Sequence, residues 1–339
     1  MSGRSFPCAS IAVTHLGDLI ALRAFGHFTY DPEPQPPTTE TLFDLASVTK
    51  VVATTSMAML LYQRGLLDLD MSVTSVVGEF AGEDPRRDEV TFRMLLAHSS
   101  GLPAYERLFL RAHTREELLE AAFAVPLANE PGSHAEYSDI GFIILGVALE
   151  RLADETLDRF CQREVFGPLS MQRTTFNPAL ELRSAIPPTA DDQTFRHRVI
   201  QGEVQDENAS VLGGVAGHAG LFATALDVAT FAHAMIQGGA PILRRETISL
   251  FTQRVSSPEG TSRALGWDTP SSPSQSGKYF SQNSYGHLGY TGASHWIDPD
   301  RRLSITLLTN RTWPDCQNKD IQKVRPCFHD AVVEALQSA

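Results

Sequence analysis

Strand-like sequence lies near both ends of this 339-residue chain, and helix-like sequence fills the middle. That distribution limits the fold, because terminal strands can share one sheet only if the two chain ends close on each other. Residues Cys8–His15 and Asp18–Phe28 alternate apolar and polar side chains around Leu16-Gly17-Asp18, the pattern of a β-hairpin. Towards the other end, Arg263–Asp268, His295–Ile297 and Leu303–Leu308 read as strands, the last two joined by the turn Asp298-Pro299-Asp300-Arg301. A closing helix is expected over Asp320–Leu336. From Asp68 to Phe251 the pattern is mostly helical. Thr91–Ala97 is a short helix, Thr114 and Glu117 form a capping box for a helix that Pro126 stops, and Ile140–Leu152 is strongly apolar. Thr224 and Asp227 cap a further helix that ends at Gly238-Gly239. The expected fold class is α+β (mixed α/β). Residues 1–68 and 255–339 build an antiparallel sheet flanked by helices, and 69–254 form an inserted, mostly helical domain. A site is expected at the seam between them. Two segments read as loops: Asp31–Thr39, with four prolines, and much of the Ser-, Pro- and Gly-rich stretch Ser256–Ser284.

One tetrapeptide carries chemistry. Ser47-Val48-Thr49-Lys50 opens an apolar run with Val51, Met57, Leu60 and Leu61, which Gly65 terminates. Residues i and i+3 share a helix face, so Ser47 Oγ and Lys50 Nζ can meet. A serine hydroxyl needs such a base to become a nucleophile. The chain holds four lysines, and Lys50 alone lies three residues after a Ser or Thr.

A formal charge of −12 argues against nucleic acid or an anionic membrane as partner, since phosphate surfaces demand clustered Lys and Arg. No stretch reaches the ~18 consecutive apolar residues of a membrane-spanning helix. The N-terminus lacks a basic leader followed by an apolar stretch, so the chain as it stands reads as cytoplasmic, or as periplasmic or secreted if a leader has been removed. Cys8, Cys161, Cys316 and Cys327 have no metal-type spacing and read as reduced thiols. The eleven histidines contain no His-Glu-x-x-His pattern, so neither metal nor cofactor is expected. His98 and His218 read as hydrogen-bonded structural residues, and Trp267 and Trp296 as packing residues.

Two more segments complete a pattern. Tyr137-Ser138-Asp139 precedes the apolar helix, and His287-Leu288-Gly289-Tyr290-Thr291-Gly292 precedes a predicted strand. With the Ser47 motif, in this order, they resemble the serine β-lactamase and penicillin-binding superfamily, most closely its class C-like branch of β-lactamases, D-alanyl-D-alanine peptidases and esterases. The blocks Phe43–Lys50, Leu95–Pro103, Tyr137–Phe142, Asp206–Ala209 and Leu212–Phe222 carry the same resemblance, which runs from about Phe6 to Asn310.

The resemblance implies that Ser47 is acylated, that Lys50 takes its proton, and that Tyr137 relays a proton to the leaving group. A Lys50 ammonium beside Tyr137 would lower the phenol pKa. The oxyanion would lie between the backbone N–H groups of Ser47 and Tyr290, His287 would join Ser47, Lys50 and Tyr137 in the catalytic set, and Asp139, Leu288 and Gly289 would bind the substrate. Two departures bear on substrate. Leu288 replaces the hydroxyl residue usual in the third motif, with His287 where β-lactamases carry lysine, and Asp139 replaces asparagine in the second. Both changes favour neutral esters or small amides over anionic β-lactams, so the expected activity is a carboxylesterase with weak β-lactam or D-Ala amide hydrolysis as a side activity. The alternatives are a β-lactamase, a D-alanyl-D-alanine carboxypeptidase acting on short D-Ala peptides, or a sensor that acylates without turnover.

Overall fold

The computed structural model describes residues 4–338. Five antiparallel strands form the main sheet, in the spatial order Asp18–Gly26, Cys8–His15, Leu303–Thr309, Ser294–Asp298, Tyr285–Leu288. The two chain ends therefore close one sheet, with Ala12 opposite Thr306 and Val13 opposite Ile305. The hairpin turns where expected, with Leu16 at φ +54° and Gly17 at φ +107°, the left-handed pair that a tight two-residue hairpin needs. Leu303–Thr309 is buried along its whole length because helices cover both faces of the sheet. Val13, Trp296, Leu303 and Ile305 pack on Val333 of the C-terminal helix Ile321–Gln337. Ala12 and Leu308 turn to the opposite face and join the main core, which includes Val51, Met57 and Phe231. Each such Leu- or Val-sized side chain contributes roughly 1.5–3 kcal/mol by leaving water.

The helical middle follows its caps. Thr91, Thr114, Ser138 and Thr224 each accept a backbone N–H at the start of the helices Phe92–Leu96, Arg115–Phe123, Asp139–Ala153 and Ala225–Ile236. Short strands that the sequence pattern concealed lie in this middle and just before it. Phe43–Asp44, Leu221–Ala223 and Thr175–Phe176 form a small sheet, and Pro188–Asp192 pairs with Arg198–Gln201. The small sheet matters for the site, because Phe43 pairs with Ala223 and so draws the Ser47 segment against the chain that follows His218.

Three local expectations change. Arg263–Asp268 is no strand: Gly266 at φ +86° bends it, and single bridges join Arg263 to Asp268 and Asp268 to Gly286. The loop-rich stretch 256–284 buries Ala264, Leu265, Trp267 and Phe280, the last against Trp296. The third motif does precede the predicted strand, Ser294–Asp298, but Tyr285–Leu288 is itself an edge strand, so His287 and Leu288 also end one. The four cysteines are free.

Candidate active site

Ser47 sits in a tight 3-10 turn, Ala46–Val48, followed by a wider π-type turn Lys50–Thr55 and the α-helix Ser56–Gln63. Gly65, at φ +72°, closes that helix. Ala46 adopts φ +46°, a left-handed conformation that non-glycine residues rarely take. Asp44 holds it there: Oδ1 accepts the Ala46 N–H at 2.8 Å and Oδ2 accepts the Gln205 N–H at 2.7 Å. Burial pushes the Asp44 carboxyl up to about 6 against those two bonds.

Lys50 and Tyr137 meet at Ser47 Oγ, and Lys50 Nζ is the centre on which three segments converge. Lys50 Nζ is 3.0 Å from Ser47 Oγ, 2.6 Å from Tyr137 Oη and 2.6 Å from Asp139 Oδ1, and it donates to His218 O at 3.1 Å. Tyr137 Oη donates to Ser47 Oγ at 2.6 Å. Four oxygens thus surround a group that has three protons when charged and a lone pair when neutral. Lys50 is fully buried, and burial lowers its pKa, opposed first by the Asp139 charge. Tyr137 moves the other way: burial, with the Asp139 charge added, raises it well above the ordinary phenol value. The expectation that Lys50 would lower the phenol is therefore reversed, because desolvation and a nearby carboxylate both disfavour a phenolate. Asp139 lines the cleft, and its carboxylate also faces the lysine as an ion pair.

Supporting groups fix this arrangement. Ser138 caps the Asp139–Ala153 helix, accepting the Gly141 N–H at 3.0 Å, and its own N–H goes to His98 Nδ1 at 3.1 Å. His218 Nε2 lies 2.8 Å from Asp206 Oδ1. Burial acts to raise Asp206, yet His218, the Ala209 N–H and Lys50 together hold it below the ordinary carboxylate range. Gly217 lets the His218 loop approach, because a Cβ there would lie 2.1 Å from Phe142 O.

The third motif forms the facing wall. His287, Leu288, Gly289 and Tyr290 line the same cleft as Ser47, Tyr137 and Asp139, a cavity of about 920 Å³. A carbonyl oxygen can only accept, so His287 Nδ1 is the donor to Leu288 O at 2.8 Å. Burial, reinforced by the charges of Lys50 and Arg263, holds His287 well below the ordinary histidine value, so the ring is neutral. Gly289 packs against the nucleophile turn: a Cβ there would lie 2.5 Å from Leu45 O.

Sequence reasoning missed the cations. Arg263 lines the cleft with its guanidinium 5.5 Å from the Tyr137 ring centre, and its nearest carboxylate oxygen, on Asp268, is 3.8 Å away. That is beyond hydrogen-bond range. Arg107, Arg311 and Arg325 line it as well. The charge that His287 fails to supply is present on other elements. For Arg325 a signal existed: the buried stripe of the last helix reads Ile321, Arg325, His329, Val333, a cation within an apolar four-residue repeat. Among the described residues, no group of three or more His, Cys, Asp or Glu could hold a metal ion. Among the described residues, no helix is long and apolar enough to cross a membrane.

Comparison with known proteins fits this geometry. The family model described as Beta-lactamase matches residues 1–325. The N-acetylmuramyl-L-alanine amidase of Bacillus subtilis (strain 168) is 32% identical, over 90% of this chain and 77% of that protein. A protein of Escherichia coli (strain K12), provisionally named a D-alanyl-D-alanine carboxypeptidase, is 31% identical, over 90% of this chain and 79% of its own. The octameric penicillin-binding protein homologue from Pyrococcus abyssi shares the fold, with a TM-score of 0.74 at 21% identity, covering 99% of this chain and 75% of that one. The chain belongs to the beta-lactamase family, and is a serine hydrolase of that fold.

Proposed function

We propose that this protein opens an amide bond in a short peptide bearing a free carboxylate, through an acyl-enzyme on Ser47. The observation that carries the reading is the triangle of Ser47 Oγ, Lys50 Nζ and Tyr137 Oη, with sides of 3.0, 2.6 and 2.6 Å. Neutral Lys50 takes the Ser47 proton as Oγ bonds to the substrate carbonyl carbon. The carbonyl oxygen becomes an oxyanion between the N–H groups of Ser47 and Tyr290. Tyr137, kept as a neutral phenol, gives its proton to the leaving nitrogen and regains one from the Lys50 ammonium. The C–N bond breaks and the amine departs. Water then attacks the ester, passing a proton back through the same pair, and Ser47 is restored.

Arg263 and Arg107 support a carboxylate-bearing substrate, since a guanidinium matches a carboxylate in charge and geometry. The names of the Bacillus subtilis and Escherichia coli relatives support amide substrates of this class. A second reading is the hydrolysis of short-chain esters, favoured by the apolar lining of Phe109, Leu110, Leu288 and Ile321.

The test is turnover of a D-alanyl-D-alanine peptide, a muramyl-L-alanine peptide, p-nitrophenyl butyrate and nitrocefin by wild type and Ser47→Ala. The amide reading expects peptide cleavage that vanishes in Ser47→Ala. Ester turnover without amide cleavage would favour the second reading. A stable nitrocefin adduct with no turnover of any substrate would favour a sensor.

A further inference from the structure

Two buried guanidiniums end on the third-motif loop. Arg325, 6% exposed, reaches from the C-terminal helix and donates through Nη2 to Gly289 O at 2.6 Å and Ala293 O at 2.9 Å. Arg311, 8% exposed, donates through Nε to Tyr290 O at 2.8 Å and through Nη1 to Cys316 O and Asn318 O. Among the described residues neither forms an ion pair with a carboxylate. Burial, with Arg311 alongside, lowers Arg325 to about 9, so it remains charged at neutral pH. A buried cation held only by carbonyl dipoles destabilises a fold relative to a neutral side chain of similar size. Folding alone therefore gives no reason for a cation at this position.

The peptide geometry supplies one. Gly289 C=O and Tyr290 N–H belong to the same planar peptide unit, and in a trans peptide they point in opposite directions. A cation fixed on the oxygen turns the N–H away from the C-terminal helix and draws electron density towards the carbonyl, which makes the N–H a stronger donor. Ala293 O, which Arg325 also holds, accepts the Gly289 N–H at 2.7 Å, so both ends of the turn are pinned. The turn rests on the segment before the nucleophile, where a Cβ on Gly289 would approach Leu45 O and Ala46.

We propose that Arg325 is a positioning residue for acyl transfer, orienting and polarising the Gly289–Tyr290 peptide so that Tyr290 N–H meets the oxyanion formed at Ser47. The inference rests on the reading of Ser47 as nucleophile. Tests use Arg325→Met, which keeps length without charge, and Arg325→Gln, which is read in the same way if the first does not fold. On whichever of the D-alanyl-D-alanine peptide or p-nitrophenyl butyrate wild type turns over, kcat falls by roughly ten-fold, less than the ~10²–10³ seen when an oxyanion donor is deleted. KM stays within about two-fold. Affinity for phenylboronic acid, whose Ser adduct is tetrahedral and anionic, falls in step with kcat. The melting midpoint holds or rises, and Arg325→Lys recovers part of the rate. An unchanged kcat, a loss confined to KM, or a rate loss explained by a lower melting midpoint would overturn the inference. Turnover that survives Ser47→Ala would instead remove the nucleophile reading beneath it.

Discussion

Lys50 Nζ and Asp139 Oδ1 lie 2.6 Å apart, an ion pair at the position where the related motif carries an uncharged amide. The pair sets how easily Lys50 sheds its proton. Burial pushes the ammonium towards neutrality, and Asp139 pulls it back. Asp139→Asn removes the opposing charge and lets the Lys50 pKa fall further. If neutral Lys50 is the base, the acid limb of kcat/KM against pH moves to lower pH, by roughly 1–3 units. A pH–rate profile of the two proteins checks this, and a limb that stays or moves upward would remove Lys50 from that role.

Tyr137 is held as a phenol by burial and by Asp139, so it acts as a proton carrier rather than as a standing phenolate. Tyr137→Phe is expected to lower kcat by about 10²–10⁴ while leaving the fold intact. Ultraviolet titration offers the complementary check: wild type gains no phenolate signal over Tyr137→Phe below about pH 10. A Tyr137-dependent phenolate near neutral pH would contradict the reversed pKa shift.

Arg263 bears on substrate choice. Arg263→Gln raises KM by roughly ten- to hundred-fold for a peptide with a free carboxylate, the value of a charge-assisted hydrogen bond of about 1.5–3 kcal/mol. The C-terminal amide of the same peptide shows little change. Equal effects on both substrates would detach Arg263 from carboxylate recognition.

Much of the fold was legible because strand alternation and helix caps are local signals. The hairpin at Leu16-Gly17 and the caps at Thr114 and Thr224 fall where residue type demands them. Phe43–Asp44 and Leu221–Ala223 escaped notice because strands of two or three residues carry no period. Arg263–Asp268 mimics a strand in composition, and Gly266, which bends it, reads the same in either role. In the site, Ser47, Lys50 and Tyr137 could be picked out by motif order. Arg263 and Arg311 could not, since each reaches the cleft through tertiary packing from a segment whose local pattern says nothing about its partners, and Arg325 left only the trace of a cation in the buried stripe of the last helix.

Gly289 separates space from charge at the third motif. A Cβ there would lie 2.5 Å from Leu45 O, a backbone atom that cannot swing aside. Gly289→Ala is therefore expected to lower stability by about 1–3 kcal/mol and to reduce kcat by displacing the Tyr290 N–H. Thermal melts beside rate measurements check both, and a variant that keeps wild-type stability and rate would show that the turn tolerates the methyl group.

The most direct measurement of the central claim is the intact mass of the protein during turnover of an ester or amide substrate, quenched in acid. The account predicts a covalent adduct equal to the acyl group, located on the peptide that contains Ser47 and absent from Ser47→Ala. Continued turnover with no adduct, or an adduct on another residue that persists in Ser47→Ala, would contradict it.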